Sequence, residues 1–240
     1  MSLAVFRVES LAGASESDIV ELSGPEGRHA VTVKRVAPGE RIQLADAAGR
    51  LATVTVTEVR GKDALVARVD EIETIPEPDP KVIVIQAIPK SERAELAVDL
   101  ATQAGADGII AWQADRCIAK WDAKKAPKAL AKWQSAATAA AKQSRRARVP
   151  EVTGPLSTAQ VAELISGETA YVLHEDATTS LRDVELQGTV YLLIGPEGGI
   201  GSTELAKLGA TAVKLGPEVL RTASAAMVAL AAIGVRTSRW

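Results

Sequence analysis

"LLIGPEGGIG", residues 192–201, passes from apolar, strand-forming residues directly into a turn with four glycines among the seven positions 195–201 and one acid, Glu197. Packing alone does not require so bare a backbone. Glycines let the main chain approach a bound molecule and present its N–H and C=O groups, and Pro196 stiffens the entrance. The competing reading is a strand-to-helix turn in which Ser202 or Thr203 caps the helix and Glu204 sits in its first turn. Phosphate-binding loops fit poorly. G-x-x-x-x-G-K-[ST] is absent, glycines at 195, 198, 199 and 201 do not spell G-x-G-x-x-G, and Glu197 would repel a phosphate. An uncharged or cationic ligand held by backbone groups suits the turn. A related stretch follows at 215–222, "LGPEVLRT": a strand again ends in Leu-Gly-Pro, then comes Arg221, and Thr222 and Ser224 open a long apolar helix. Two strand-end loops of one kind can form two walls of one pocket.

The surroundings of these loops decide the fold class. "KVIVIQAI" (81–88), "GIIAW" (108–112), "AYVLHE" (170–175) and "VYLLIG" (190–195) are apolar runs without alternation, separated by helical patterns such as 92–105 and 126–144. Strands buried on both faces with helices between them predict an α/β domain with a mostly parallel sheet, where ligands bind beyond the carboxyl ends of the strands. "ETIPEPDP" (73–80) holds three prolines and three acids in eight residues, which neither a helix nor an interior strand sustains, so a boundary is placed there. Ahead of it, residues 41–72 alternate apolar and polar in three runs broken at 47–49 and 61–63, the pattern of an antiparallel meander. The expected organisation is a small β-rich domain over 1–75 and an α/β domain over 76–240.

With 47% hydrophobic and 24% charged residues in 240, the chain can bury an ample core as one large or two smaller domains. No apolar run reaches bilayer length, and "MSLAVFRVES" has no basic region followed by an apolar one, so neither a membrane span nor a secretory signal is expected and the cytoplasm is the default address. One cysteine and two histidines are too few for a Cys/His zinc site, and no metal is expected. The net charge of −2 argues against a nucleic-acid partner, but its distribution does not: residues 116–148 hold ten Lys/Arg and one acid, Asp122. That stretch is a candidate polyanion footprint. Lys124, Lys128 and Lys132, spaced by four, fall on one face of a predicted helix, flanked by Trp112, Trp121 and Trp133, which are better read as core. His29, beside Arg28, Lys34 and Arg35, is placed either against phosphate or simply at the surface. Cys117 reads as a small buried hydrophobe and His174 as a strand-end structural residue.

The pair "LLIGPEGGIG" and "LGPEVLRTASAA", at their mutual spacing, resembles the small-subunit ribosomal RNA uridine N3-methyltransferases of the knotted SPOUT class. Supporting matches are "RHAVTVKR" (28–35), "IPKSERAEL" (88–96), "ADRCIAKW" (114–121) and "KQSRRARVPEV" (142–152). The resemblance implies a PUA-like β-barrel for RNA docking, followed by a domain whose chain threads its own loop in a trefoil knot. It also implies S-adenosylmethionine as methyl donor, a homodimer, and small-subunit ribosomal RNA or a ribosomal particle as substrate. The donor would be held by Gly195, Pro196, Glu197, Gly198, Gly199 and Ile200, by Leu215, Gly216, Leu220, Thr222 and Ser224, and by a third wall at Leu173, His174 and Glu175. Arg221 is the candidate cation for the anionic uracil, with a structural pairing to Glu197 or Glu218 as the alternative. Glu197 is read either as proton acceptor or as a buttress of its loop. RNA contacts are expected from Arg28, His29, Lys34, Arg35, Lys90, Arg93, Arg116, Lys124, Lys128, Arg145 and Arg146. The chain departs from the family pattern at Gln103, Ala139 and Ala223, where acids are common, so these positions supply no carboxylate.

Overall fold

The alternation of residues 41–72 becomes the centre of a five-stranded sheet in a computed structural model that describes residues 3–240, with the side chains of residues 91 and 92 excepted. Met1 and Ser2, at the start of the expected first domain, lie outside the described residues. The chain divides into two compact units, one of residues 1–77 with 142–149, the other of residues 78–141 with 150–240.

The first unit holds, in chain order, β1 (Val5–Arg7), β2 (Ile19–Leu22), α1 (Gly24–Arg28), β3 (Arg41–Ala45), β4 (Arg50–Arg60) and β5 (Ala64–Thr74). Strand order is β1-β3-β4-β5-β2, with β3–β4–β5 the expected antiparallel meander and β1 parallel to β3. The turns between meander strands fall at the predicted Ala-Ala-Gly and Gly-Lys-Asp. One face of each strand supplies the core: Ile42 and Leu44, then Ala52, Val54 and Val56, then Leu65, Ala67 and Val69, closed by Phe6, Leu11 and Leu22. Residues 142–149 join this unit through polar bonds. The Arg7 guanidinium donates to the carbonyls of Arg146 and Ala147, that of Arg148 donates to the carbonyls of Ala48 and Ile75, and Lys142 Nζ meets Glu26 Oε1 at 2.6 Å. Burial pulls the Arg7 guanidinium below its ordinary value, opposed by the charges of Glu26 and Asp46.

The second unit holds β6 (Lys81–Ala87), α2 (Ser91–Gln103), β7 (Gly108–Gln113), α3 (Ala126–Gln143, whose last two residues count with the first unit), β8 (Glu151–Ser157), α4 (Thr158–Leu164), β9 (Thr169–Leu173), β10 (Thr189–Ile194), α5 (Ser202–Leu208), β11 (Thr211–Val213) and α6 (Thr222–Arg236). Its six strands, in the order β11-β9-β10-β6-β7-β8, are all parallel. The apolar runs expected as strands are β6, β7, β9 and β10, and their residues are buried on both faces. β8 has no such run in the sequence. It lies at the sheet edge, where Pro155 removes no needed donor. Small residues let α6 pack closely on α2: Ala223, Ala225, Ala226, Ala229, Leu230 and Ile233 are buried within the unit. Met227, Val228 and Val235 are left on its exposed side.

Candidate functional site

Parallel register brings the critical loops to one edge. Leu193 of β10 pairs with Val172 of β9, Leu173 with Val213 of β11, and Ile194 with Gln86 of β6. The segments following all four strands therefore leave the same carboxyl edge, the usual ligand position of a parallel sheet. With neighbouring strands about 4.8 Å apart, the glycine turn after β10 and the Leu-Gly-Pro loop after β11 start about 10 Å from each other, with the end of β9 between them. That third wall is tied to the β11 side: His174 N–H donates to Val213 O at 3.0 Å, and Lys214 N–H to Thr179 O at 2.8 Å. His174 Nδ1 accepts the Asp176 N–H at 3.2 Å, the strand-end structural role expected of it. Glu175 points into solvent and Leu173 is half-buried.

Hydrogen bonds hold the glycine turn at two residues and the start of the helix after it at a third. Glu197 Oε1 accepts the Lys90 N–H at 3.2 Å, which fastens the turn to the β6–α2 connection. Arg116 Nη1 donates to Gly198 O at 3.2 Å. Glu204 Oε1, in the first turn of α5, accepts the Asp115 N–H at 2.8 Å and the Thr158 hydroxyl at 2.7 Å, while Trp112 Nε1 donates to the Thr158 oxygen at 3.1 Å. Glu204 is 3% exposed, and its Oε2 has no hydrogen-bond partner. The sequence marks Glu204 only as a first-turn acid; a Ser-Thr-Glu helix start looks superficial, and nothing local signals its burial.

Two glycines of the turn have separate structural reasons. A Cβ on Gly198 would stand 3.1 Å from Arg116 Cβ and 3.2 Å from its carbonyl oxygen, so a side chain here requires Arg116 or the turn to shift by a few tenths of an ångström. Gly199 sits at φ +70°, in the left-handed region that favours glycine, and its face is open. Pro196 and Ile200 are buried beneath the turn, whereas Glu197, Gly198 and Gly199 are exposed. The helix start differs from the capping alternative read from sequence. Gly201 is the N-cap of α5 and provides no side-chain cap, and Ser202 and Thr203 lie inside the helix.

On the second loop, Leu215 and Gly216 are half-buried, Leu220 is 37% exposed, and Thr222 is buried at the start of α6. Arg221 is the N-cap of α6, and its carbonyl accepts the N–H groups of Ser224 and Ala225 and the Ser224 hydroxyl, at 2.9, 3.0 and 3.2 Å. Its side chain is exposed and, among the described residues, makes no hydrogen bond or ion pair, so the alternative pairing with Glu197 or Glu218 is not what the structure contains. The site thus offers open main chain at Gly198 and Gly199, an exposed apolar side chain at Leu220 and an exposed cation at Arg221. Among the described residues no cluster of His, Cys, Asp and Glu could hold a metal ion, and no helix is long and apolar enough to cross a membrane.

The candidate RNA contacts divide between the units. Arg28, His29, Lys34, Arg35, Arg145 and Arg146 belong to the first; Lys90, Arg93, Arg116, Lys124 and Lys128 to the second. The basic stretch 116–148 is thus shared between the two units rather than forming one continuous element. Lys124 precedes α3, its N–H bonded to Asp122 Oδ1 at 3.1 Å, so only Lys128 and Lys132 of the expected stripe lie on that helix, and Lys132 pairs with Glu95 at 3.4 Å. Lys142 and Arg148 are spent on internal bonds within the first unit. Trp112 and Trp133 are fully buried, and Trp121 packs edge-on against Trp133 with centroids 5.0 Å apart, as core residues do. His29 is half-buried with its ring edge to Phe6 at 6.0 Å. Cys117 is buried, and desolvation pushes its thiol up.

A family model described as an RNA methyltransferase domain matches residues 76–234, and one described as an RNA methyltransferase PUA domain matches residues 22–70. Fold and site thus define the class: an RNA methyltransferase domain preceded by a PUA domain. The ribosomal RNA small subunit methyltransferase E of Mycobacterium tuberculosis is 48% identical, covering 98% of this chain and 93% of its own length; that of Bacillus subtilis is 30% identical, covering 92% of each. Among solved structures, ribosomal RNA small subunit methyltransferase E from Neisseria gonorrhoeae, bound to S-adenosyl methionine, matches with a TM-score of 0.86 at 26% identity over 98% of both chains. A Legionella pneumophila protein solved with bound S-adenosylmethionine matches at 0.84 with the same identity and coverage. The chain belongs to the ribosomal RNA small subunit methyltransferase E family.

Proposed function

We propose that the protein transfers the methyl group of S-adenosylmethionine to N3 of a uridine in small-subunit ribosomal RNA. The observation that carries this reading is the shared carboxyl edge, from which the hydrogen-bonded glycine turn, the Leu-Gly-Pro loop and the end of β9 all start. The residues fit the donor: exposed backbone at Gly198 and Gly199, half-buried Gly195, Leu215 and Gly216, and apolar Leu220 suit an adenosine held mainly by main-chain groups. Pro196, Glu197, Ile200, Thr222 and Ser224 shape the two loops, and Leu173, His174 and Glu175 complete the wall. When bound, S-adenosylmethionine supplies an electrophilic methyl group.

The chain's own task is to make uridine N3 nucleophilic. Neutral uridine carries a proton there, so the site must favour its loss and stabilise the resulting anion. Arg221 does the second: its guanidinium donates to a uracil oxygen beside N3, where the negative charge of the anion is shared, and its backbone is fixed by three bonds from Ser224 and Ala225. Glu197 anchors the turn through one oxygen, and its other oxygen takes the N3 proton. Positive side chains of both units supply phosphate contacts, which act through counterion release. The family likeness further supports a trefoil knot in the second unit, a cytoplasmic site of action, and a homodimer in which Met227, Val228 and Val235 of α6 find a partner.

Transfer of labelled methyl groups to unmodified small-subunit particles, followed by nucleoside analysis for N3-methyluridine, tests the reaction; labelled product at a different atom would overturn the assignment. Arg221→Lys should lower kcat strongly while leaving donor affinity within a few-fold, with rate partly restored as pH rises and uridine deprotonates. A variant with full kcat, or one whose whole defect is lost donor binding, removes Arg221 from this role.

A further inference from the structure

Arg116 is held unlike the other cations at the carboxyl edge. Its loop is fixed from behind, because the Asp115 N–H ends on the buried carboxylate of Glu204, and Cys117 on the other side is itself buried. The side chain is exposed and lies along the glycine turn. Nη1 bonds to the Gly198 carbonyl, and a Cβ added at Gly201 would come within 3.2 Å of Nη2. That hydrogen bond uses one of five guanidinium N–H donors. Among the described residues Arg116 has no carboxylate partner, and the acid of the turn, Glu197, is bonded to the Lys90 amide instead. Lys120, on the same loop, donates to the Asp115 carbonyl at 3.4 Å and adds a second positive charge. A planar cation with donors to spare and no counter-ion suits an oxyanion, and on an RNA substrate that oxyanion is a backbone phosphate.

We infer that Arg116 binds an RNA phosphate and the Gly198 carbonyl at once, so that RNA binding immobilises the turn that receives the methyl donor. This rests on the functional reading above. A guanidinium pinned by a phosphate cannot swing away from Gly198, so the turn is held in its receptive shape; by reciprocity, donor binding must tighten RNA by the same factor. The coupling is read by measuring the affinity of S-adenosylhomocysteine, which cannot react, with and without an unmodified transcript of small-subunit ribosomal RNA. Wild-type protein should bind it at least about five-fold more tightly with the transcript present, the low end of typical couplings.

Arg116→Gln should abolish that dependence and lower the slope of log affinity for the transcript against log salt by about one, the effect of losing one phosphate contact. Arg116→Lys keeps the charge but not the fork, and should keep the salt slope while losing the coupling. Wild-type protein whose affinity for S-adenosylhomocysteine is independent of the transcript would overturn the inference alone. So would an Arg116→Gln protein with normal melting temperature, unchanged salt slope and unchanged coupling. Wild-type protein that fails to bind S-adenosylhomocysteine at all would overturn the functional reading and this inference with it.

Discussion

Replacing Gly198 with valine probes the glycine turn at its tightest point. The new Cβ alone would stand 3.1 Å from Arg116 Cβ and 3.2 Å from the Arg116 carbonyl oxygen, against about 3.5–4.0 Å for a relaxed carbon contact. Arg116 has little room to retreat, since the preceding residue's N–H is tied to Glu204 at 2.8 Å. The two Cγ methyls of valine add bulk that its fixed χ1 cannot redirect freely. The turn must therefore move outward, into the space where the donor would lie. Overpacking of this kind costs about 1–3 kcal/mol, and rupture of the Arg116–Gly198 hydrogen bond adds about 1 kcal/mol. If only about 1.4 kcal/mol of the total falls on the donor-bound geometry, affinity drops tenfold. Isothermal calorimetry with S-adenosylmethionine should show at least that loss for Gly198→Val and a smaller one for Gly198→Ala, which lacks the methyls. Because the folded protein carries this strain with or without ligand, the melting temperature should also fall, by about 2–4 °C per kcal/mol in a chain of this size. Unchanged affinity in a folded Gly198→Val protein would refute the placement of the donor against this backbone.

Glu197→Gln retains an oxygen for the Lys90 amide but cannot take a proton, so it should keep donor affinity within a few-fold while kcat falls about a hundredfold; Glu197→Ala should lose both, and a Gln variant with normal kcat would leave Glu197 as an anchor only. Reversing Arg145 and Arg146 to Glu should weaken binding of small-subunit RNA and flatten its salt dependence, yet spare S-adenosylmethionine; equal loss of both would point to misfolding. Arg239 and Asp107 form an ion pair at 2.7 Å with 6% and 7% of their side chains exposed, so Arg239→Ala should destabilise the protein by about 3–5 kcal/mol in urea titration, and a change below 1 kcal/mol would contradict that role. Sedimentation at micromolar concentration should give twice the 25.1 kDa chain mass, and a monomer mass would rule out the proposed pairing through α6.

What could be read from sequence was what depends on neighbours in the chain. The meander over 41–72 and the strands β6, β7, β9 and β10 follow from period and from unbroken apolar runs, and the two glycine loops follow from Gly-Pro pairs, directly after β10 and three residues after the end of β11 at Val213. β8 escaped because Gly154 and Pro155 interrupt its run, which an edge position tolerates. The clamps escaped for another reason. Lys90 and Glu197 are 107 residues apart, Arg116 and Gly198 are 82 apart, and Asp115 and Glu204 are 89 apart. Each is a single hydrogen bond whose partners carry no local pattern. The basic stretch 116–148 misled in part, because charge in sequence does not show which cations are already spent: Lys142 and Arg148 fasten a segment to the first unit, while Arg116 keeps its donors.

The different treatment of the turn and of Arg221 fits the roles proposed for them. A glycine-rich turn is expensive to order, since backbone fixation costs about 1–2 kcal/mol per residue and glycine loses the most freedom. Hydrogen bonds at two of its residues and at the start of the helix after it, at about 1 kcal/mol each, offset part of that cost before any ligand arrives, so the ligand meets a preformed backbone and less of its binding energy goes into ordering it. Arg221 is fixed only at its main chain, with the guanidinium free of partners among the described residues. A pre-formed ion pair would have to be broken as uridine loses its proton, subtracting from the stabilisation of the anion. In the proposed reaction, a cation held at its root and unpaired at its tip loses nothing of the kind, and its attraction would grow as charge develops on the uracil oxygens.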